Sequence, residues 1–330
     1  MLSEDKGMSR AATLEREKTA APRMKAPSRL GDRLFEGLTL CMAVTVLVLI
    51  CVVGWQLWSG SRESVKTFGW HFLVSTDWDP GNDNAYGALP FIYGTLVSSC
   101  LALLIAVPLS VATAIYLTEL APGWLRQPVI SLIEMLAAIP SVILGLWGIF
   151  VMEPWLHDYL LPFLKHYLGW TPLFRGPING PFMLAGGMII AIMIVPIITS
   201  VSREILVSVP DLQREAAYAL GATRWEVTRI AVLSYAKRGI FGAIILGLGR
   251  ALGETMAVAM VIGNTPQISA SLLASGETLA SVIANEFQEA SDLCVQSLFE
   301  IGLVLFVVTI LVNLMAQLIL KTFAGATVKQ

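Results

Sequence analysis

Six long apolar runs dictate where a chain of 330 residues like this one can fold. They lie near 35–58, 91–117, 128–152, 182–200, 239–262 and 297–319. A helix needs about 20 mostly apolar residues to cross a hydrocarbon core, and each run is of about that length. In lipid every backbone N–H and C=O must find its partner within the protein, so such runs are expected to be helical. Composition agrees, with 55% hydrophobic and 14% charged residues and a mean hydropathy of +0.70. A soluble domain carries about 25% charged residues. The expected class is an all-α integral membrane protein with six transmembrane helices.

Orientation follows from where Lys and Arg sit between the runs. The leader 1–34 carries Lys6, Arg10, Arg16, Lys18, Arg23, Lys25, Arg29 and Arg33. The loop 201–238 carries Arg203, Arg214, Arg224, Arg229, Lys237 and Arg238. Alternate segments are poorer: 59–90 has Arg62 and Lys66, 153–181 has Lys165 and Arg175, and 263–296 has none. Both termini are therefore expected in the cytoplasm. The first run is too long for a signal peptide and reads as an uncleaved anchor. The leader, charged and poor in aromatics, is expected to be disordered. A six-span body over 35–322 and a short cytoplasmic tail, 323–330, complete the expected organisation.

Chemistry-bearing residues are sparse. Cys41, Cys51 and Cys100 fall in apolar runs and are expected to be buried small hydrophobes, and Cys294 falls in a polar stretch. His71, His157 and His166 lack metal-ligand spacing, and no nucleophile–base set stands out. An enzyme is thus the least supported class; no metal and no nucleic-acid partner are expected. The aromatic-rich segment 153–181 suits a membrane interface better than a ligand site. Glu134 and Glu300 are expected to pair locally or reach the interface.

The stretch 208–233, SVPDLQREAAYALGATRWEVTRIAVL, is too polar to span. Ser208 can cap a helix with Pro210 in its first turn, and Asp211 favours that end. Gly221 is suited to terminate it. Thr223 and Glu226 form a T-x-x-E capping box that starts a second helix. Leu212, Ala216, Ala219 and Leu220 can form one apolar side. This helix–glycine–helix unit is either an amphipathic linker on the bilayer or a docking knob for a cytoplasmic partner.

The apolar run GLGRALGETMAVAMVIG, 247–263, holds Arg250 and Glu254 near its middle. An ionised arginine there costs on the order of 3 kcal/mol in a lone helix, so protein or water must surround it. On a continuous helix Glu254 would share its face four residues on. The pair is either an internal ion pair or a polar station on an anion path. A guanidinium fork fits two oxygens of a tetrahedral oxyanion, and a carboxylate accepts a hydrogen bond from an oxyanion that still carries a proton but repels one that does not. Thr255 adds a hydroxyl to such a path or bonds a carbonyl one turn back. Gly249 and Gly253 form a G-x-x-x-G suited to close packing with another helix. Pro108, Pro140 and Pro196 fall inside the second, third and fourth runs, as hinges or as fixed bends.

EAAYALG at 215–221 resembles the EAA loop of bacterial ABC-importer permeases, in which E-A-A is followed by three residues and Gly, then by Ile-x-Leu-Pro. Glu215, Ala216, Ala217, Gly221 and Leu233 match; Ala231 and Ser234 depart from the Ile and Pro positions. GALPFIYGTL (87–96), LAAIPSVILGLWG (136–148), AIMIVPIITSVSREIL (191–206), GLGRALGETMAVAMVIGN (247–264) and SVIANEF (281–287) resemble the phosphate-importer permeases within that family. RALGETMAV resembles one of that importer's two permease types, the other having an R-A-x-G-E-T-A-P form. The resemblance implies a type I ABC-importer permease (MetI-like) fold. It implies a PstA-type second permease and a PstB-type ATPase dimer at the loop around Glu215, Ala216, Ala217 and Gly221. It also implies a PstS-type phosphate-binding protein on the outer face, against 263–296. No G-x-x-x-x-G-K-[ST] loop occurs here, so ATP and its magnesium would bind the ATPase. Readings left open are a permease of this fold for another oxyanion or small solute, and an ion-coupled secondary transporter using Glu254.

Overall fold

The computed structural model describes residues 29–79, 85–176, 180–290 and 292–325. The expectations for leader residues 1–28 and for 326–330 lie outside them. The principal helices are α1 (Arg29–Gly60), α2 (Arg62–Phe68), α3 (Leu89–Ile115), α4 (Gly123–Ala137), α5 (Ser141–Trp147) and α6 (Met183–Val207). They continue as α7 (Asp211–Ala219), α8 (Leu233–Leu252), α9 (Met256–Val261), α10 (Leu279–Glu286) and α11 (Leu293–Gly325). Among the described residues five helical stretches are long and apolar enough to cross a membrane. A sixth crossing exists if Gly123–Ala137 and Ser141–Leu168, bent by 95°, act as one broken span.

The chain divides into two compact units at Val53. The first is the body of α1, in which residues 31–53 are all exposed. The second, from Gly54, is built around α6. Its Ile189, Ile190, Ile194 and Ile198 are buried in one core with Ala102 and Ala106 of α3 and Ala243 of α8. Small residues allow this. A Cβ on Gly247 would fall 2.7 Å from Ile198, and one on Gly187 would overlap Leu101. Lipid tails are as apolar as leucine, so helices in a bilayer associate through such close packing.

Two expected continuous spans are broken. The third run stops at Ala137 and restarts at Ser141, placing Pro140 before a helix rather than inside one. Proline lacks the N–H, clashes with the carbonyl four residues back, and disfavours helix at the residue before it. Pro108 and Pro196 do lie inside helices, α3 and α6. The fifth run stops at Leu252, passes through Gly253, Glu254 and Thr255, and resumes at Met256. The two restarted helices pack on each other: a Cβ on Gly145 would lie 2.6 Å from Met260, and one on Gly148 2.8 Å from Val261.

Other expectations shift as well. The fourth run continues to Val207, so Ser208 ends α6 by donating to Ile205 O at 2.8 Å and does not cap α7. The stretch 153–168 is helical, with Trp155, Tyr159, Phe163 and Tyr167 exposed at four-residue intervals along it. Burial of the cysteines is reversed. Cys41, Cys51 and Cys100 are exposed on apolar helices, whereas Cys294 is buried at the start of α11. An apolar run does not reveal whether a residue faces protein or the outside.

Candidate functional site

The break after α8 replaces the expected helical Arg250–Glu254 face. Arg250 lies about 18 Å along the axis from Arg238 at 1.5 Å per residue, deep in the apolar stretch. Its side chain is exposed, and among the described residues no carboxylate lies within ion-pair distance of it. Glu254 and Thr255 sit in the break, so Glu254 is not stacked one turn above Arg250. Thr255 Oγ1 donates to Gly253 O at 3.1 Å, two residues back rather than one turn back. Gly253 N donates to Arg250 O at 3.2 Å and closes α8. Non-helical backbone at membrane depth is tolerated only where protein buries it or it lines water. Gly253 is exposed and Glu254 and Thr255 half-buried, so within this chain the break is open. Gly249 has no atom of this chain near a would-be Cβ, leaving that part of the G-x-x-x-G face uncovered.

In the loop 208–233 the Gly221 stop and the Thr223–Glu226 capping box form as expected. Gly221 adopts φ +82°, the left-handed region that favours glycine. Thr223 N donates to Glu226 Oε2 at 2.8 Å, and Glu226 N returns to Thr223 Oγ1 at 3.4 Å. Leu212 (75%), Leu220 (90%) and Trp225 (65%) are exposed, as are Glu215, Ala216 and Ala219. Ala217 is half-buried.

One residue was not singled out in the sequence. Arg214, beside Glu215, makes four polar contacts. Its Nη2 donates to Glu119 Oε1 at 3.1 Å and Leu206 O at 2.9 Å, its Nη1 to Val209 O at 2.6 Å and Asp211 Oδ1 at 3.2 Å. The Arg214–Glu119 pair is mostly buried, at 17% and 14% side-chain exposure. Glu119 lies on the wide turn extending α3, and Leu206 lies in the last turn of α6. Arg214 thus ties the exposed helix α7 to two apolar helices. Only its place beside the E-A-A motif hinted at this.

Comparison with known proteins meets this geometry. Residues 106–325 match the family described as binding-protein-dependent transport system inner membrane component. A phosphate transport system permease protein PstC of Xylella fastidiosa is 47% identical over 86% of this chain and 88% of its own. PstC of Mesorhizobium japonicum is 46% identical over 90% and 92%, and PstC of Pasteurella multocida 46% over 92% and 96%. The chain belongs to the PstC permease family. The fold agrees at low identity. A chain of a bacterial ABC transporter involved in the import of alginate aligns with TM-score 0.60 and 16% identity, over 89% of this chain and 99% of that one. A chain of the inward-facing MetNI methionine transporter aligns with TM-score 0.51 and 17% identity, over 70% and 94%.

In this PstC-family chain residues 276–282 are buried against the rest of the fold, while Glu289 and Asp292 are exposed. A Cβ on Gly94 of α3 would overlap the carbonyl of Glu277, so only glycine admits the approach. Leu279 N donates to Thr95 Oγ1 at 2.9 Å, fastening α10 to α3. Trp78 Nε1 donates to both Glu286 oxygens at 2.9 and 2.8 Å, and Trp78 packs edge-on against Tyr86 and Phe91. Burial pushes Glu286 upward, with the Trp78 bond opposing. Glu277 is 4% exposed, and burial pushes its carboxyl up to about 7 from 4.5, against a 3.3 Å bond from Asn285. An acid held more tightly when folded makes stability fall as pH rises from its ordinary range to about 7, then level off. Glu277→Gln removes that cost. Thermal unfolding of the purified protein should show a gain of roughly 2–4 °C near pH 8 and almost none near pH 4. An equal gain at both would mean that Glu277 does not titrate in this way.

Proposed function

We propose that the chain is one of two permease subunits enclosing the path of an ATP-driven phosphate importer. It carries out no covalent chemistry; ATP and magnesium bind a separate PstB-type ATPase dimer. A PstA-type permease supplies the other half of the path, and a PstS-type binding protein delivers phosphate on the side of 263–296. Both termini then lie in the cytoplasm. The observation that carries this reading is Arg250, exposed and without a carboxylate neighbour beside an open break deep in an apolar helix. An open cation beside exposed backbone at membrane depth suits water and a passing anion. The guanidinium attracts phosphate, Glu254 accepts a hydrogen bond from its protonated oxygen, and Thr255 adds a hydroxyl. Open Gly249 and Gly253 mark where the second permease approaches. Pro108, Pro196 and the break at Pro140 are where the helices bend as access alternates.

Phosphate uptake should fall at least about 10-fold in Arg250→Lys, because an ammonium cannot make the bidentate contact. Assembly with the ATPase, checked by pull-down, should survive. Full uptake would reduce Arg250 to a charge or a structural group.

Arg214 is the residue that carries ATPase movement from α7 to α3 and α6. In Arg214→Gln the ATPase should remain bound and active while uptake drops by about 10-fold or more, since charge-assisted bonds to Glu119 and two carbonyls are lost together. Loss of ATPase binding as well would confine Arg214 to shaping the docking surface. Unchanged uptake would end the transmission idea.

Gly249→Leu meets no atom of this chain within 4 Å at its Cβ. Co-purification of the second permease should nevertheless fall several-fold, because close helix approach needs small residues. Undiminished co-purification would place the interface elsewhere.

A further inference from the structure

A cavity of about 710 Å³ opens between α2 and α11, remote in sequence from the break and from the docking loop. On α11 its lining runs from Glu300 through Leu303, Val304 and Val307 to Leu311, a stripe about 16 Å long at 1.5 Å per residue. Trp58 and Val65 form part of the facing wall. Glu300 is the sole charged group in this lining, and it is already engaged. Ser64 Oγ donates to its Oε2 at 2.5 Å, and Ser64 and Ser297 hydroxyls meet at 3.2 Å. An apolar trough of this length is shaped for a hydrocarbon chain.

Its mouth has the opposite character. A second hollow of about 280 Å³ shares Trp58 and Val65 with the first and is completed by Arg62 and Lys66. Both cations lie just past Gly60, where the first apolar helix ends and a membrane interface must be. Among the described residues neither has a carboxylate within ion-pair distance. The adjacent carboxylate, Glu63, is taken by Gln296 Nε2 at 2.7 Å. Arg62 lies 5.9 Å from the Trp55 ring centroid.

We propose that this is a binding site for an anionic phospholipid. One acyl chain fills the trough along α11, and the headgroup phosphate is held by Arg62 and Lys66. The pairing of an apolar trough with two cations at an interface decides the occupant. A free phosphate ion has nothing to bury against Val304, Val307 and Leu311. An apolar helix of a partner has no use for two cations at its entrance.

The test uses the assembled transporter, reconstituted in nanodiscs of equal parts phosphatidylglycerol and phosphatidylcholine and then stripped with detergent. Lipid retained on the complex is read by native mass spectrometry. The parent should retain phosphatidylglycerol over phosphatidylcholine by about 10-fold, since each basic residue near the interface favours an anionic headgroup. Arg62→Gln with Lys66→Gln should bring the two close to parity, and Val307→Trp, which fills the trough, should lower both. Equal retention by the parent, or a double variant that keeps the preference, overturns the site. A photo-crosslinker at Leu303 provides a readout that does not depend on these substitutions. Crosslinks to lipid are expected, and crosslinks to the second permease instead would give the trough to a protein neighbour and overturn the proposal.

Discussion

A helix in lipid satisfies its own backbone, and every interruption must be covered by protein or reached by water. The architecture of this chain depends on two such interruptions. One follows Ala137 and the other follows Leu252. The helices that restart after them, α5 and α9, lie against each other because Gly145 and Gly148 leave room for Met260 and Val261. Both are held in the core that surrounds α6. The breaks therefore do not loosen the fold. The second places polar backbone beside Arg250 while the flanking helices stay tightly packed.

The same central helix links this region to the exposed loop. Leu206 is fully buried near the end of α6, and its carbonyl accepts from Arg214. The guanidinium also reaches Glu119 at the end of the extended α3, so α7 cannot move without pulling on both. A planar fork with several donors in fixed directions suits this better than a flexible ammonium. Packed helices and oriented hydrogen bonds transmit displacement because they have few intermediate arrangements.

At the other end of α3 the closure is made by backbone. Gly94 admits the Glu277 carbonyl, and Thr95 accepts from Leu279 N while donating to Phe91 O. Tyr93 OH donates to Ser269 O at 2.5 Å, adding a second tie to the same segment. The acidic residues of 263–296 are thereby divided. Glu277 is withdrawn into the protein, and Glu286 is bound by Trp78.

What the sequence determined by itself was local. The Gly221 stop and the Thr223–Glu226 box follow from backbone freedom and short-range hydrogen bonds and are present, and hydropathy marked the apolar runs, two of which the structure breaks. Family membership was equally legible, because motifs such as RALGETMAV are contiguous. Tertiary structure decided the rest. A helical period extrapolated through GLGRALGETMAV placed Glu254 over Arg250; packing of α9 against α5 instead favours a restart at Met256. Pro140 was visible, but whether a proline bends or breaks a helix depends on what packs on either side, and Pro108 and Pro196 stayed helical. Cysteine burial, the withdrawal of Glu277 and the Arg214–Glu119 tie across 95 residues of sequence depend on which faces meet. An apolar span has little periodicity to specify its faces, so that information exists only in the packed protein.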